Sequence, residues 1–482
     1  MKKKLVFLIM LIFSISIFTS CDRLTEILNN VNNDDNLSSD PMPSVSVEPS
    51  VMSTQDIGDL SFTKVNFGNR LDIDGPKISY PLPSTGTPNI LVIPINLDNN
   101  NATNEKLLDI NYAFNGTSDE TGWESVKSYY QKSSYNQLDL QIEVINQWYT
   151  PKYEASYYEN YLNKYNEKGN HLLLDEALEY YNEQYDYSYY DSDKDGSIDS
   201  IWLIYNHSVD YENNDFYWAY ASTNPNSDKY DGVKAYRFAF AGIDFIHPTI
   251  QEAGTYNPEG INYDAHAYIH ETGHLMGLDD YYDYFDDKGA VGGTYGADMM
   301  DYNVGDHGMI SKLLLGWVQP IVVSGTGSAS FGLESFAETG KFILISDHEV
   351  TSIYDEYFLI EFYNSDGLNE RDNLIPNASG IRVMHIDARK NIVDGEAVYN
   401  SGNYRSGFLY DNSDEEKLFC NTLRSDYYNS DTLTKSSFYG KLDTFGYINY
   451  TDYKMHSGSS IPFKFNVLSV HDNQIDIKLT IE

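Results

Sequence analysis

Cysteine is almost absent from this chain of 482 residues, which contains only Cys21 and Cys420. A cysteine nucleophile or a cysteine-rich zinc module needs thiols placed beside other reactive groups, so this scarcity argues against both kinds of site. Cys21 lies in a targeting segment described below, which leaves Cys420 without an internal disulfide partner. We expect Cys420 to be a buried, small, apolar side chain.

Basic residues are also few, with 32 Lys and Arg against 72 Asp and Glu, and the formal net charge is −40. A nucleic-acid partner requires a basic surface against its phosphates, so the sequence predicts no such partner. Hydrophobic residues make up 41% of the chain, a share typical of a globular protein. The length is enough for about two or three domains.

A long apolar run occurs at the N-terminus, at residues 5–18, after three lysines at residues 2–4. Such a segment is typical of a secretory signal and is short for a membrane-spanning helix. Residues 18–21, Phe-Thr-Ser-Cys, resemble a bacterial lipobox, which implies that Cys21 becomes the lipidated first residue. An ordinary signal peptide with a chance cysteine is the alternative. The sequence therefore predicts an exported bacterial lipoprotein, held outside the cytoplasm at the membrane or cell surface by acyl chains on Cys21.

Shifts in composition predict four segments and an α+β fold class. Residues 1–20 are the lipoprotein signal peptide, and residues 21–57, rich in Asn, Asp, Ser and Pro, form a flexible tether. Residues 58–320 alternate strand and helix patterns, as in a mixed α/β layer fold. Residues 321–482 carry short strands between turn residues, which indicates a separate β-rich domain of the sandwich type.

Hydrophobic periodicity predicts the individual elements. In the first folded region, helices are expected at residues 120–132, 170–184 and 264–276, and strands at residues 89–97, 138–148, 198–205 and 236–246. In the second region, strands are expected at residues 342–345, 357–362, 381–386, 463–470 and 475–481.

The stretch HETGHLMGLDD, residues 270–280, carries the strongest chemical signal. On a helix, residues four apart share one face, so His270 and His274 can both present an imidazole nitrogen to one metal ion. Glu271 lies beside them and can reach a metal-bound water, as in the HExxH zinc helix. Gly277 allows a sharp exit from the helix, and Asp280 can then return as the third ligand. A core helix with two hydrogen-bonded histidines is the alternative.

This stretch resembles the signature of the metzincin zinc peptidases, in which a Met-turn follows the helix. The closer resemblance is to the immune inhibitor A family of bacterial metallopeptidases, which uses Asp as third ligand and has a segment like MDYNVGDHGMISKLLLGW, residues 300–317. Similar segments extend over most of residues 88–390, including NILVIPINLD, YDSDKDGSIDSIWLIY and GIRVMHID. Asp279 stands where that family often has Pro, and the spacing favours Asp280 over Asp279.

The resemblance implies a metzincin-like domain, with a twisted mixed sheet and an active-site helix, that hydrolyses peptide bonds of a protein or peptide substrate. It implies a methionine beneath the zinc, for which Met300 is the first choice and Met299 the second. Tyr302 corresponds to a tyrosine that stabilises the tetrahedral intermediate in some metzincins, and a packing tyrosine is an equal alternative. Glu271 is expected to act as general base on a zinc-activated water.

A second metal site is predicted in the segment DSDKDGSID, residues 191–199. Oxygen ligands at alternate positions around a Gly turn follow the calcium-loop pattern, although the Glu of an EF-hand is replaced by Trp202. The alternative is a solvated acidic turn, which would leave several like charges close together. The predicted ligands of a structural Ca²⁺ are Asp191, Asp193, Asp195, Ser197 and Asp199.

Other histidines have weaker signals. His266, one turn before His270, is expected to support the site rather than bind metal. His307 could line the substrate cleft, and His385 is expected to be structural.

The sequence admits three functional hypotheses. The first is a membrane-tethered zinc endopeptidase. The second is a surface adhesin or binding protein on a peptidase fold, against which the presence of Glu271 and the full ligand set argues. The third is another HExxH hydrolase, which would take a Glu ligand from a later helix or an upstream Cys; neither is needed when Asp280 is in place, and no suitable Cys exists. The C-terminal domain could bind carbohydrate or a protein surface, or could only brace the catalytic domain.

Overall fold

Helices and strands alternate in the first part of the chain, and strands dominate the rest, which confirms an α+β fold. In this computed structural model the described residues belong to the unit Val51–Glu482. The predicted signal peptide, Cys21 and the tether lie outside them. The structure describes residues 59–67, 81–97, 102–162, 168–207, 216–247, 260–283, 292–372, 374–390, 392–393, 396–397, 408–413, 417–426, 432–446, 450 and 452–482.

The α-helices in these ranges are short or of moderate length, and none of them is long and apolar enough to cross a membrane. They are α1 (Asn104–Asn115), α2 (Ser118–Thr121), α3 (Val126–Ser133), α4 (Ala155–Glu159), α5 (Gly169–Tyr181), α6 (His266–Met276), α7 (Met299–Tyr302), α8 (Met309–Leu314) and α9 (Phe336–Thr339).

The strands fall into three larger sheets and two short hairpins. They are β1 (Ser61–Lys64), β2 (Asn89–Ile95), β3 (Gln141–Val144), β4 (Ser200–Tyr205), β5 (Tyr220–Thr223), β6 (Lys229–Tyr230), β7 (Val233–Lys234), β8 (Arg237–Gly242), β9 (Ile321–Ser324), β10 (Gly327–Glu334), β11 (Ile343–Ile345), β12 (Glu356–Asn364), β13 (Ser379–Asp387), β14 (Ile392–Val393), β15 (Glu396–Ala397), β16 (Cys420–Thr422), β17 (Thr444–Phe445), β18 (Phe463–Val470) and β19 (Gln474–Ile481).

The first sheet has the order β3-β2-β4-β8-β5, with β5 antiparallel to β8 and the other neighbours parallel. Alternate residues of each strand point to opposite faces. Val92, Trp202 and Ala239 share one apolar cluster with α1, α3 and α6, whereas Leu91 and Leu203 share another with α5. The sheet is therefore covered on both faces, which explains the nearly continuous apolar runs of β2 and β4.

The second sheet has the order β1-β9-β11-β12-β13-β16, and the third has the order β10-β19-β18-β17. One face of the second sheet, including Leu359 and Met384, joins the apolar cluster that contains α6. Its other face, including Phe358 and Val383, shares a cluster with the third sheet. The second sheet is thus buried from both sides, between the helix of the HETGH stretch and the third sheet.

Three local expectations from periodicity were wrong in extent. The helix expected at residues 120–132 is interrupted, because Gly122 adopts a left-handed conformation (φ 89°) that ends α2, and Ser125 then caps α3. The strand expected at 138–148 is confined to Gln141–Val144, and the strand expected at 236–246 ends at Gly242 in a 3₁₀ turn.

The beginning of the described chain pairs with the C-terminal region. Ser61–Lys64 runs antiparallel to Ile321–Ser324 at the edge of the second sheet. Leu82, 1% exposed, donates its N–H to the carbonyl of Leu275 at the end of α6. The boundaries at residues 58, 320 and 321 stay predictions.

Candidate metal centre

Helix α6 carries the two histidines on a fully buried segment and ends where the sequence predicts. Gly277 has φ 105°, a conformation open to glycine, and its N–H bonds to the carbonyl of His274. The next N–H, of Leu278, reaches back to the carbonyl of Gly273 at 3.0 Å. This pair of bonds is a Schellman motif, which turns the chain sharply back toward the helix.

The turn brings Asp280 to both histidines. Its Oδ1 lies 2.8 Å from Nε2 of His270 and 3.0 Å from Nε2 of His274. Glu271 is close as well, because one donor atom from each of His270, Glu271 and His274 lies within 4.8 Å of the others. Two imidazole nitrogens and a carboxylate oxygen therefore converge on one point, with a second carboxylate beside it.

The outer nitrogens of both rings face backbone carbonyls. Nδ1 of His270 lies 3.0 Å from the carbonyl oxygen of Met299, and Nδ1 of His274 lies 2.7 Å from that of Leu278. An Nδ1–H that donates to a carbonyl places the ring's lone pair on Nε2, which is the arrangement of metal-binding histidines. This donor set suits Zn²⁺.

The charge of Asp280 also suits a cation. Burial by itself raises the pKa of its carboxyl, but His274 and His270 outweigh burial and hold that pKa well below its usual range. Asp280 is therefore an ionised carboxylate at neutral pH.

Met300 lies directly beneath α6. A Cβ added to Gly273 would come within 2.6 Å of Sδ of Met300, so the missing side chain makes room for the sulfur. Met299 contributes its carbonyl to His270, and the carbonyl of Met300 accepts from the N–H of Tyr281. The Met299–Met300 turn thus contacts the helix from below and also contacts the segment that follows Asp280.

A cavity of about 190 Å³ opens onto this group. Among the described residues, Tyr302 does not line it, and the ring of Tyr302 lies near Gly296 instead. Sequence reasoning missed most of the lining, because these residues carry no motif and come from separate segments. The lining residues are Trp218, Ala219, Tyr220, Phe245, Ala267, His270, Glu271, His274, Asp280, Tyr282 and Asn303.

His266 supports the start of α6 and does not reach the cavity lining among the described residues. Its Nδ1 lies 2.5 Å from Asp264, its Nε2 lies 3.0 Å from Asp372, and its ring stacks on Trp123 at 4.3 Å. Burial lowers the pKa of His266, but the two carboxylates outweigh burial and raise it to about 10. The sequence analysis named neither partner. Asp372 lies 106 residues away, where no local pattern can indicate a contact.

The predicted calcium loop brings three of its four carboxylates together. Donor oxygens of Asp191, Asp193 and Asp199 lie within 4.8 Å of one another. Asp195 turns its Oδ1 toward the N–H of Ser197 at 2.9 Å, and Ser197 is buried. Burial raises the pKa values of Asp195 and Asp199 to about 6. Crowded, partly buried carboxylates of this kind are stabilised by a cation.

A third group of metal-type side chains is formed by Glu356, Asp387 and His456. Protein donors already occupy its oxygens. Arg389 donates to both oxygens of Asp387, at 2.7 and 2.6 Å, and Glu356 accepts from the backbone of His456 and Ser457. We therefore interpret this group as a buried polar network.

The remaining candidates do not line this cavity among the described residues. His307 is fully buried among Tyr129, Tyr130 and Trp317. His385 lies 2.9 Å from Glu356. Cys420 is buried and unbridged, as expected, and burial raises the pKa of its thiol.

Comparison of the chain with models of known protein families gave no match, and comparison with curated protein sequences gave none either.

Proposed function

We propose that this protein is a zinc-dependent endopeptidase. The observation that carries the proposal is the convergence of His270, His274 and Asp280 on one point, with Glu271 beside it at a cavity. Zn²⁺ held there would polarise a peptide carbonyl and acidify a water molecule.

The protein's own groups account for the proton transfers. Glu271 lines the cavity beside His270 and His274, where its carboxylate could accept a proton from the attacking water. It then returns that proton to the leaving amine. The carbonyls of Met299 and Leu278 accept from Nδ1 of His270 and His274 and so orient both rings, so the site needs little reorganisation.

The cavity also offers a place for an extended peptide. Tyr220 belongs to β5, the outer strand of the first sheet, and lines the cavity. Among the described residues no further strand pairs beyond β5 in this sheet, so a peptide could add there as an additional strand. We infer a protein or peptide substrate from this arrangement.

The finer classification is part of the proposal. The position of Met300 under Gly273 supports a Met-turn and hence a metzincin-like domain of the immune inhibitor A type. The apolar cluster shared by the second and third sheets supports a β-sandwich in the C-terminal region. Export as a lipoprotein anchored at Cys21 rests on the sequence alone.

We also propose that Ca²⁺ binds at Asp191, Asp193, Asp195, Ser197 and Asp199 with a structural role. The closeness of the three aspartates supports it. The loop leads directly into β4, whose neighbour β2 donates the N–H of Asn89 to Asp199 at 2.8 Å, so a bound cation would stabilise the centre of the first sheet.

The experiment combines metal analysis with cleavage. The chain without its signal peptide is expected to contain about one zinc and to cleave casein, and chelation is expected to stop cleavage. Glu271→Gln should keep the zinc and lose at least about a hundredfold in kcat, because general base catalysis is removed. Asp280→Asn should lose zinc, whereas the matched control Asp279→Asn should retain it.

Two outcomes would contradict the proposal. A wild-type chain without zinc means that the convergent residues are not a metal site. Zinc with no cleavage of any protein, and no difference between wild type and Glu271→Gln, favours a surface adhesin or binding protein on a peptidase fold.

A further inference from the structure

We propose that Asn412, in the β-rich C-terminal region, is a positioning residue for the third metal ligand, Asp280, and acts through Tyr281. The inference rests on the proposed zinc site. It assigns the C-terminal region a part in the metal centre itself, rather than only a separate binding role.

Tyr281 follows Asp280 directly and is held at every polar group. Its N–H donates to the carbonyl of Met300 at 2.8 Å, and its hydroxyl lies 3.1 Å from Oγ of Ser311. Its carbonyl accepts from Nδ2 of Asn412 at 2.9 Å and from the N–H of Gly293 at 3.3 Å. The shorter of these two bonds comes from the C-terminal region.

Asn412 is itself fixed. It is 3% exposed, and its Oδ1 accepts the N–H of Cys420 at 3.0 Å. The amide therefore cannot rotate without breaking a buried hydrogen bond on each side, which is costly. Asn412 thus connects β16 to the backbone carbonyl immediately after the ligand.

The two backbones approach closely at the same place. A Cβ on Gly293 would lie only 1.6 Å from the carbonyl oxygen of Cys420, and the N–H of Thr422 donates to the carbonyl of Gly293 at 2.8 Å. The ring of Phe419 lies 5.8 Å from that of Tyr281. Strand β16, the last in the order of the second sheet, therefore packs directly against the backbone of Gly293, which itself bonds to Tyr281.

Asp280 depends on such contacts because it lies outside regular secondary structure. His270 and His274 are placed by α6, whereas the position of Asp280 follows from its neighbours in the turn. The C-terminal region also contacts the segments on either side of the Met299–Met300 turn. Asp372 accepts the N–H of Gly305 at 2.6 Å, and Nη1 of Arg382 donates to the carbonyl of Ala297 at 2.8 Å.

The test uses the full chain after signal removal, loaded with Zn²⁺ or Co²⁺. Asn412→Asp keeps the shape and the acceptor for Cys420 but removes the donor to Tyr281. We expect the Kd for zinc to rise about tenfold to a hundredfold, as for other residues that orient ligands. We also expect an altered visible absorption spectrum of bound Co²⁺, with kcat lowered more than KM is changed.

Asn421→Asp is the matched control, because it is the same exchange on β16 at a residue whose amide oxygen accepts from Tyr295. It should leave zinc affinity and the cobalt spectrum unchanged. If Asn412→Asp does not fold, Asn412→Ser, which is neutral and smaller, is measured with the same two readouts.

The outcomes are distinguishable. A folded Asn412 variant with the wild-type zinc affinity and cobalt spectrum overturns the role of Asn412 alone. A wild-type chain that binds neither zinc nor cobalt overturns the proposed zinc site, and the positioning role with it.

Discussion

At the residue scale, the sequence indicated the candidate metal ligands more readily than the other residues that line the cavity. His270, His274 and Asp280 follow from spacing along one helix and its terminating turn. The tyrosines are harder to choose in a chain with 43 of them. Tyr282 lines the cavity beside His270, at a ring distance of 6.5 Å, whereas Tyr302 does not line it among the described residues.

Replacing each of these tyrosines by phenylalanine, which removes only the hydroxyl group, compares their roles. Tyr302→Phe lowers kcat by about tenfold or more if Tyr302 stabilises the tetrahedral intermediate, as the resemblance implies. Because Tyr282 lines the cavity, we expect Tyr282→Phe to give the larger loss. Steady-state kcat with a peptide substrate is the measurement, and a larger loss in Tyr302→Phe would restore the original assignment.

At the scale of single elements, helix α6 depends on the absence of a side chain at Gly273. Gly273→Ala increases helix propensity by about 1 kcal/mol, but its Cβ would lie 2.6 Å from Sδ of Met300. We expect overpacking to prevail and to lower the free energy of unfolding by roughly 1–3 kcal/mol, with weaker zinc binding. Urea denaturation and zinc titration measure both effects.

The double variant Gly273→Ala, Met300→Ala provides the control. Shortening Met300 removes the atom that the new Cβ would meet, so the two costs should not add. Strict additivity would show that the close approach of Met300 is not the cause.

The acidic loop before β4 makes a second prediction at this scale. Without calcium, burial raises the pKa values of Asp195 and Asp199 from 3.8 to about 6. Both carboxyl groups hold their protons more tightly in the folded chain than in the unfolded chain. This proton binding stabilises the fold fully below pH 3.8, and its contribution is lost as pH rises through 6. Calcium should therefore raise the Tm more at pH 7.5 than at pH 5, where protons compete for the same oxygens.

Differential scanning calorimetry with calcium and with a calcium-selective chelator measures this difference. Asp193→Asn should reduce the calcium effect and leave the zinc content unchanged. An equal Tm with and without calcium at pH 7.5 would argue for a solvated acidic turn.

At the scale of the whole molecule, contacts between distant segments hold the site together. His266 joins Asp264, at the start of α6, to Asp372, in the C-terminal region. The pKa of His266 is about 10 in the folded chain against 6.5 when unperturbed. The ion pairs therefore stabilise the fold fully below pH 6.5, and this contribution is lost as pH rises toward 10.

The expected loss is on the order of 1 kcal/mol per pH unit within that window. The free energy of unfolding at pH 6.5, 8 and 9.5, taken from urea denaturation of wild type and His266→Gln, measures it. The difference between the two proteins should shrink as pH rises. A difference that is constant with pH would mean that His266 is neutral in the fold, and Asp372→Asn provides the independent comparison.

The α+β class and nine of the 19 described strands followed from periodicity, because a buried strand or helix face is encoded by residues close together in the chain. The convergence of the metal-type residues was equally local, since HETGHLMGLDD spans only a helix and its terminating turn. The helix predicted at residues 120–132 was wrong in extent, because the left-handed conformation of Gly122 ends α2 despite the helical spacing of apolar residues.

By itself, then, the sequence determined which side chains converge at the end of α6 and where that helix ends. Only the tertiary structure decided what holds them: Asp372 against His266, Asn412 against Tyr281, and Ser61–Lys64 beside Ile321–Ser324. These partners are separated by 106 to more than 250 residues, and no periodicity relates such positions. They meet because the second sheet buries both of its faces, one of them against the helix that carries the histidines.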